Sequence, residues 1–217
     1  MCNQCGNKVS EPVLNNGVRT VAVCTGTGCL ASGAMAVVDA LRGALAGAGF
    51  TVVESVMDAR AAADPEKTVY LGKSGCQGFC AMGPLVTVRP AGILYTRVTA
   101  ADAGRIVERT LIKGETIEEL LYTDPVTGNR CTGTDDIPFY AGQKRQVLAR
   151  CGDLDPDSVD HYRAVGGYEA ARKVYTQMTP ETVCKTMIEA GLRGRGGGGF
   201  PTGRKWEMAR IQDSRKK

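Results

Sequence analysis

The chain has 217 residues, of which 43% are hydrophobic, and a formal net charge of +4. This length allows one large domain or two small ones, and no run of about 18 apolar residues predicts a membrane-spanning helix. Because the N-terminal residues lack the apolar region of a secretory signal, we expect a cytoplasmic protein without membrane insertion.

The first half of the chain carries the periodicities of a small α/β domain. Alternating or continuous apolar residues predict strands, and apolar residues spaced three and four apart predict helices. Strands are expected at residues 18–24, 51–57, from 68 onward, 85–89 and 93–98, and helices at 31–48 and 100–112. We assign residues 18–112 to this domain and residues 1–17 to an N-terminal extension.

The second half of the chain has a different pattern. Residues 113–136 show little periodicity and contain Pro125, Gly128 and Gly133, which favours a linker or an extended arm. Residues 137–217 are assigned to a second, incomplete domain that begins with helices. These helices are expected at residues 139–150, 158–175 and 180–190, followed by a last one from Thr202 or Gly203.

Four of the nine cysteines form two pairs, each in a glycine-rich loop after a predicted strand. Cys24 and Cys29 are spaced C-x4-C, and Cys76 and Cys80 are spaced C-x3-C. Four thiolates can hold a [2Fe–2S] cluster, and neighbouring glycines let backbone N–H groups approach the sulfurs. In a chain without a secretory signal, metal or cluster ligation is favoured over disulfide bonds.

Two other interpretations of these cysteines stay open from their spacing alone. Structural zinc sites are dominated by C-x2-C loops, so the observed spacing suits zinc poorly. Cysteine is also a common small core residue, but two pairs in matched glycine-rich loops are unusual for inert or redox thiols.

The remaining chemistry-bearing residues give weaker indications. Cys2 and Cys5 form a C-x2-C pair that could hold a metal or could be free thiols at a chain terminus. His161 is the only histidine, and we predict a packing or helix-surface role for it rather than a catalytic one. Three cysteines lack an evident partner in the sequence, namely Cys131, Cys151 and Cys184, of which the last is expected in the core.

Residues 191–206 read GLRGRGGGGFPTGRKW, with four consecutive glycines between arginines and Pro201. Glycines permit close backbone approach, and the N-terminus of a following helix favours a phosphate, with Lys205 adding charge and Phe200 stacking on a planar ring. Neither the Walker nor the dinucleotide fingerprint is present, so the loop alone is weak evidence. A single short copy disfavours an RNA-binding Arg-Gly segment, and Pro201 and Trp206 disfavour a plain linker. We therefore expect no nucleic-acid partner.

The cysteine loops, VCTGTGCLASGA and GCQGFCAMGPLV, resemble those of thioredoxin-like [2Fe–2S] ferredoxins, a family related to a subunit of respiratory complex I. The resemblance covers about residues 18–112. It implies a thioredoxin-like α/β sheet with a [2Fe–2S] cluster at the two loops. The implied ligands are Cys24, Cys29, Cys76 and Cys80.

The glycine-rich loop, GLRGRGGGGFPTGRKWE, strongly resembles the flavin-site loop of the NADH-oxidising flavoprotein subunits of complex I and of soluble NAD(P)-linked hydrogenases and formate dehydrogenases. The upstream segments VGGYEAARK and MTPETVCKTMIEAGLRGRG resemble the same family. The resemblance implies that FMN contacts this loop and that Phe200 lies near the adenine of NAD(P)H. The implied FMN contacts are Gly194, Arg195, Gly196, Gly197 and Lys205.

A ferredoxin domain followed by a flavoprotein domain resembles the beta subunit of multimeric NAD(P)-dependent [FeFe]-hydrogenases and related formate dehydrogenases. The resemblance implies an enzyme subunit that passes electrons between NAD(P)H, FMN and iron–sulfur clusters, with other iron–sulfur subunits as partners. That family continues with the rest of the flavin fold and a [4Fe–4S] site, so we expect a truncated chain that is inactive alone. A stand-alone ferredoxin-like carrier or docking module without flavin chemistry is the alternative.

Overall fold

The computed structural model describes Leu14 and residues 16–213. The chain divides into two units, a first unit of Met1–Val165 and a second unit of Gly166–Lys217. The predicted pair of Cys2 and Cys5 lies outside the described residues.

A five-stranded mixed sheet lies at the centre of the first unit. Its strands are β1 (Arg19–Cys24), β2 (Thr51–Val53), β3 (Thr68–Ser74), β4 (Val86–Arg89) and β5 (Ile93–Tyr95), in the spatial order β2-β3-β1-β4-β5. β1 and β2 run parallel to β3, whereas β4 runs antiparallel to β1 and β5. The register places Cys24, the last residue of β1, opposite Ser74, the last residue of β3. The two cysteine-bearing loops therefore leave the sheet side by side.

Helices pack on this sheet because their apolar residues recur on one side. The helices are α1 (Thr27–Ala31), α2 (Ala34–Gly47), α3 (Val56–Arg60) and α4 (Ala103–Arg105), the last continuing into a π-helical segment, Ile106–Ile112. α2 buries Val37, Leu41 and Leu45, which share one helical face. These residues join Val21 and Val23 of β1 in one apolar core. This is the thioredoxin-like α/β arrangement that the resemblance implies, and the predicted fold class is confirmed.

The strand predicted at residues 51–57 is only partly right. β2 ends at Val53, and the hydroxyl of Ser55 then accepts hydrogen bonds at 3.2 and 3.4 Å from N–H groups in the first turn of α3. Such a cap satisfies N–H groups that the helix start leaves open, so the chain turns from strand to helix at this serine. The helix predicted at residues 31–48 is likewise divided at Gly33, whose φ is +92°.

Residues 113–136, predicted as a linker or an extended arm, pack onto the first unit. A short hairpin of β6 (Tyr122–Thr123) and β7 (Arg130–Cys131) lies within them. The segment joins the main core through buried side chains, namely Ile117, Leu120, Leu121 and Cys131. Leu121 also pairs with Tyr95 at the end of β5. The segment is not a free connection, because its apolar side chains complete the core.

The helix predicted at residues 139–150 is wrong for most of its length. Only α5 (Pro138–Ala141) is helical there, and Gly142 follows it as the C-cap. The apolar residues that indicated a helical face are exposed, with Val147 97% and Leu148 59% accessible. A short helix depends on burying such a face, so the pattern alone does not sustain it.

The helix predicted at residues 158–175 is two helices. α6 (Val159–Ala164) belongs to the first unit and α7 (Glu169–Gln177) to the second. Left-handed backbone at Gly166 and Tyr168, with φ of +81° and +64°, interrupts the helical path between them.

The second unit also contains α8 (Pro180–Glu189) and α9 (Thr202–Arg210), which begin where the sequence predicts. The two helices cross closely at Gly203. A Cβ at this position would lie 2.7 Å from the carbonyl carbon of Met187 in α8. Helix packing therefore requires the glycine, and the crossing brings together the two ends of the loop that joins the helices.

Candidate metal centre and glycine-rich loop

Cys24 and Cys29 lie at the buried side of the candidate metal centre. Cys24 ends β1, Cys29 lies in α1, and each side chain is about 1% exposed. The backbone N–H of Cys24 donates to the carbonyl of Leu85 at 2.9 Å, and that of Thr25 donates to the carbonyl of Ser74 at 2.9 Å. These bonds fix the first cysteine loop against the end of β3.

Cys76 and Cys80 lie at the exposed side of the same centre. They follow β3, and Cys80 begins a 3₁₀ turn, Cys80–Met82. Their Sγ atoms are 3.6 Å apart. Two thiolates bound at about 2.3 Å to one tetrahedral metal are separated by about 3.8 Å, so this pair has the spacing of ligands to a single ion.

Glycines allow the two cysteine loops to touch. A Cβ at Gly26 would lie 2.7 Å from the Cβ of Cys76, and a Cβ at Gly28 would lie 3.0 Å from the Cβ of Cys80. A Cβ at Gly83 would lie 2.6 Å from the Sγ of Cys29. Any side chain at these three positions would separate the loops. The structure therefore brings the four predicted cysteines together, and their role as ligands stays a prediction.

The four thiols influence one another's ionisation. Burial raises the pKa of Cys29 to about 12, and the hydrogen bond and negative charge of Cys24 add to this effect. Cys76 raises the pKa of Cys80 through a hydrogen bond and its own charge. Adjacent thiolates repel one another unless a cation lies between them. A metal centre would supply that positive charge, so this donor set fits one.

The arrangement favours two metal ions over one. Among the described residues, no three His, Cys, Asp or Glu side chains converge on a single ion position. A [2Fe–2S] cluster needs only two thiolates for each iron, as two separate pairs provide. A mononuclear zinc site would need all four sulfurs around one point. Two pairs of thiols therefore match the donor set of a binuclear cluster.

Sequence reasoning missed an aromatic group beside the metal centre. Phe79, the residue before Cys80, stacks on Phe139 with the ring centroids 5.1 Å apart. It also meets Tyr122 and Tyr140 edge to face, at 5.1 and 5.5 Å. These rings come from segments predicted as a linker and as a separate helix. The only sequence signal for the group is the position of Phe79 next to a cysteine.

The glycine-rich loop of the second unit is an ordered hairpin-like turn. Arg193 and Pro201 form an antiparallel bridge. Flanking this bridge, the N–H of Gly194 donates to the carbonyl of Phe200, and the N–H of Thr202 donates to the carbonyl of Leu192, both at 2.9 Å. The loop is closed at its base, which disfavours a plain linker.

The four consecutive glycines fall into two classes. Gly197 and Gly199 have φ of +95° and +58°, so their backbone conformation requires glycine. Gly196 and Gly198 lie outside the positive-φ region, and a Cβ at either would meet nothing within 4 Å. No described part of the chain therefore requires glycine at these two positions. Open space of this kind lets a ligand approach the backbone closely.

Polar and aromatic side chains surround this turn. Arg195 and Lys205 are exposed, and Phe200 and Trp206 are 53% and 45% exposed. α9 begins directly after Pro201, which gives the helix no side-chain cap. Uncapped N–H groups beside cationic side chains favour an anion such as a phosphate.

Among the described residues, His161 and three further cysteines have surroundings of their own. His161 is buried and packs edge-on against Tyr70, with ring centroids 6.0 Å apart, which agrees with the predicted packing role. Its Nδ1 accepts a hydrogen bond from the N–H of Asp155 at 3.1 Å, and burial lowers its pKa. Cys131 and Cys184 are buried, and Cys151 is half-buried.

The described part of the chain contains no helix with the length and apolar character needed to cross a bilayer. No protein-family model matches the chain.

Comparison with known proteins finds two groups of relatives. The chain is 52% identical over 67 residues to the NADP-reducing hydrogenase subunit HndC of Solidesulfovibrio fructosivorans. This match covers 31% of the chain and 14% of HndC. The chain is 46% identical over 62 residues to an NADH-quinone oxidoreductase subunit of Escherichia coli, covering 29% of this chain and 14% of that protein. The matched part is thus about a seventh of either relative.

The second group is represented by a smaller protein. The chain is 38% identical over 69 residues to a ferredoxin described as 2Fe-2S from Clostridium pasteurianum. This match covers 32% of the chain and 68% of the ferredoxin.

Proposed function

Because this chain belongs to the 2Fe-2S ferredoxin family, we propose that the four paired thiols of its first unit hold a [2Fe–2S] cluster. The proposed ligands are Cys24, Cys29, Cys76 and Cys80. The observation that carries the proposal is the contact between the two cysteine loops, which only glycines at their touching points permit. The 3.6 Å separation of the exposed sulfurs supports it.

When bound, such a cluster takes up and releases one electron at a time. Cys24 and Cys29, which are buried, and Cys76 and Cys80, which are exposed, would hold it. The N–H of Gly78 points to the Sγ of Cys76 at 3.4 Å. Such donors stabilise negative charge on sulfur and so raise the reduction potential. The exposed pair offers a partner the shorter route for electron transfer.

We further propose that the glycine-rich loop of the second unit binds FMN and lies beside NAD(P)H. Gly196 and Gly198 leave the backbone open to close approach, and Lys205 provides a cation near the start of α9. The residues proposed to contact FMN are Gly194, Arg195, Gly196, Gly197 and Lys205. Phe200, half exposed on the same turn, is proposed to lie near the adenine. When bound, FMN converts hydride transfer from NAD(P)H into single-electron transfers.

Taken together, the two sites support an electron-transfer subunit of an NAD(P)H-linked oxidoreductase of the hydrogenase or formate dehydrogenase type. Its partners would be other iron–sulfur subunits, and its location the cytoplasm. The similarity to HndC and to the NADH-quinone oxidoreductase subunit supports this assignment.

Metal analysis of anaerobically prepared protein tests the cluster. We expect about two irons and two sulfides per chain, the content of a [2Fe–2S] cluster, and the visible absorption of that cluster. The paired variants Cys76→Ser and Cys80→Ser should lose most of this absorption, whereas Cys184→Ser, in the second unit, should keep it. A colourless protein that binds only zinc would overturn the proposal.

Flavin binding tests the second site and separates the two functional alternatives. We expect this chain alone to bind FMN weakly, because its match covers only 14% of the length of HndC and of the NADH-quinone oxidoreductase subunit. NADH-dependent reduction of bound FMN would support the oxidoreductase subunit. A protein that holds the cluster but shows no FMN binding at any accessible concentration would instead support a ferredoxin-like carrier or docking module.

A further inference from the structure

Tyr140 carries a buried hydroxyl that has no hydrogen-bond partner among the described residues. It lies in α5, and its ring packs on the aromatic group beside the metal centre. The ring is edge-on to Phe79 at 5.5 Å and to Phe139 at 5.1 Å. A buried hydroxyl is normally paired, so an unpaired one marks a position where a partner is missing.

The ring of Tyr140 packs beside the second cysteine loop, because its neighbour Phe79 directly precedes Cys80. Burial raises the pKa of the Tyr140 hydroxyl to about 12, against the lowering effect of the Arg145 charge and with a smaller raising effect of the cysteine charges. The phenol therefore keeps its proton at neutral pH. A protonated phenol beside sulfur is a hydrogen-bond donor.

Arg145 holds Tyr140 on the second cysteine loop. Its guanidinium lies 5.1 Å from the centre of the Tyr140 ring. The same guanidinium donates to the carbonyl of Gln77 at 2.8 Å, between Cys76 and Cys80. A Cβ at Gly78 would lie 3.4 Å from this group, so the arginine sits directly against the loop. The tyrosine is thus fixed by contacts on both sides.

We propose that the Tyr140 hydroxyl donates a hydrogen bond to a sulfur of the [2Fe–2S] cluster and thereby raises its reduction potential. This inference rests on the proposed function of the four-cysteine site. Reduction adds negative charge to the cluster, and a donor to sulfur stabilises the reduced form more than the oxidised form. Tyr140 would thus contact the cluster directly, although it lies outside residues 18–112.

The test is a potentiometric titration of the whole chain, followed by electron paramagnetic resonance of the reduced cluster. The variant Tyr140→Phe removes only the hydroxyl. Tyr122→Phe is the matched control, because Tyr122 also packs edge-on against Phe79. At the wild-type midpoint, we expect the ratio of reduced to oxidised cluster to fall about tenfold in Y140F, which for one electron is about 59 mV more negative. The potential of Y122F should match that of the wild type.

Iron and sulfide analysis of the wild type separates the two claims. A wild type without iron overturns the cluster and this inference together. A loaded wild type whose potential is unchanged in Y140F overturns only the inference. If Y140F loses its cluster, the wild type can be prepared with 3-fluorotyrosine, whose hydroxyl is a stronger donor. A reduction potential more positive than that of the unlabelled protein, with the same shift in fluorotyrosine-labelled Y122F, supports the hydrogen bond from Tyr140. A potential equal to that of the unlabelled protein overturns it.

Discussion

Replacing Gly26 with alanine is expected to disrupt assembly of the metal centre, because Gly26 lies where the two cysteine loops touch. A Cβ there would lie 2.7 Å from the Cβ of Cys76 and 2.9 Å from its Cα. Ordinary contacts begin at 3.4 Å, so the loops must separate by about 0.7 Å, the difference between 3.4 and 2.7 Å. Metal–ligand distances tolerate only about 0.2 Å. The shift therefore carries Cys76 out of binding range unless the structure distorts elsewhere.

The energetic consequence follows from the same contact. Overpacking by one methyl group in a rigid environment costs about 1–3 kcal/mol. The colliding atoms include the Cα of Cys76, so rotation of a side chain cannot relieve the clash. If the strain falls on the loaded state, the cluster is held about 5- to 150-fold less tightly. The assay is iron and sulfide content after a fixed exposure to a chelator, followed by visible absorption.

Gly75→Ala is the matched control for this substitution. Gly75 precedes Cys76, has no positive φ, and a Cβ there would meet nothing within 4 Å. We expect G75A to retain its cluster as the wild type does. If G26A and G75A lost iron at the same rate as the wild type, the loops would not be in the contact described, and the steric argument would be refuted.

Three further predictions concern other parts of the chain. Gly203→Ala should lower the free energy of unfolding of the second unit by about 1–3 kcal/mol, because its Cβ would collide with the backbone of α8, and thermal unfolding measures this. The double variant of Gly196→Ala and Gly198→Ala should leave the unfolding temperature unchanged, since a Cβ at either position meets nothing within 4 Å. The same variant should bind FMN more weakly in fluorescence titrations. An FMN affinity equal to that of the wild type would contradict this. Burial lowers the pKa of His161, so the unfolded chain binds the proton more readily than the folded chain. The free energy of unfolding should therefore fall as the pH drops below about 6.5, by at most about 1.4 kcal/mol per pH unit, and His161→Gln should remove this component in urea titrations.

The sheet and the cysteine loops were predictable because their signals are local. Alternation of Val21 and Val23 marks β1, and glycines next to cysteines mark the loops at the strand ends. The packing of residues 113–136 was not predictable, because Ile117, Leu120 and Leu121 span a single turn, too short to establish a period. Their burial depends on the completed sheet rather than on neighbouring residues. Residues 139–150 show the opposite case. Their apolar residues have helical spacing but are not buried against other elements, so most of the segment is not helical.

Some glycines of this chain are required by the fold itself, and others are not. At Gly26 and Gly203, the chain's own backbone occupies the space that a side chain would need. At Gly197, the backbone conformation requires glycine. Gly196 and Gly198 satisfy neither condition, although they lie in an ordered turn. Glycine at these two positions therefore points to a constraint from outside the described chain. A close-fitting ligand is a constraint of that kind, because it needs the absence of a side chain only when it is bound. The same reasoning applies to the hydroxyl of Tyr140, a polar atom without a partner among the described residues.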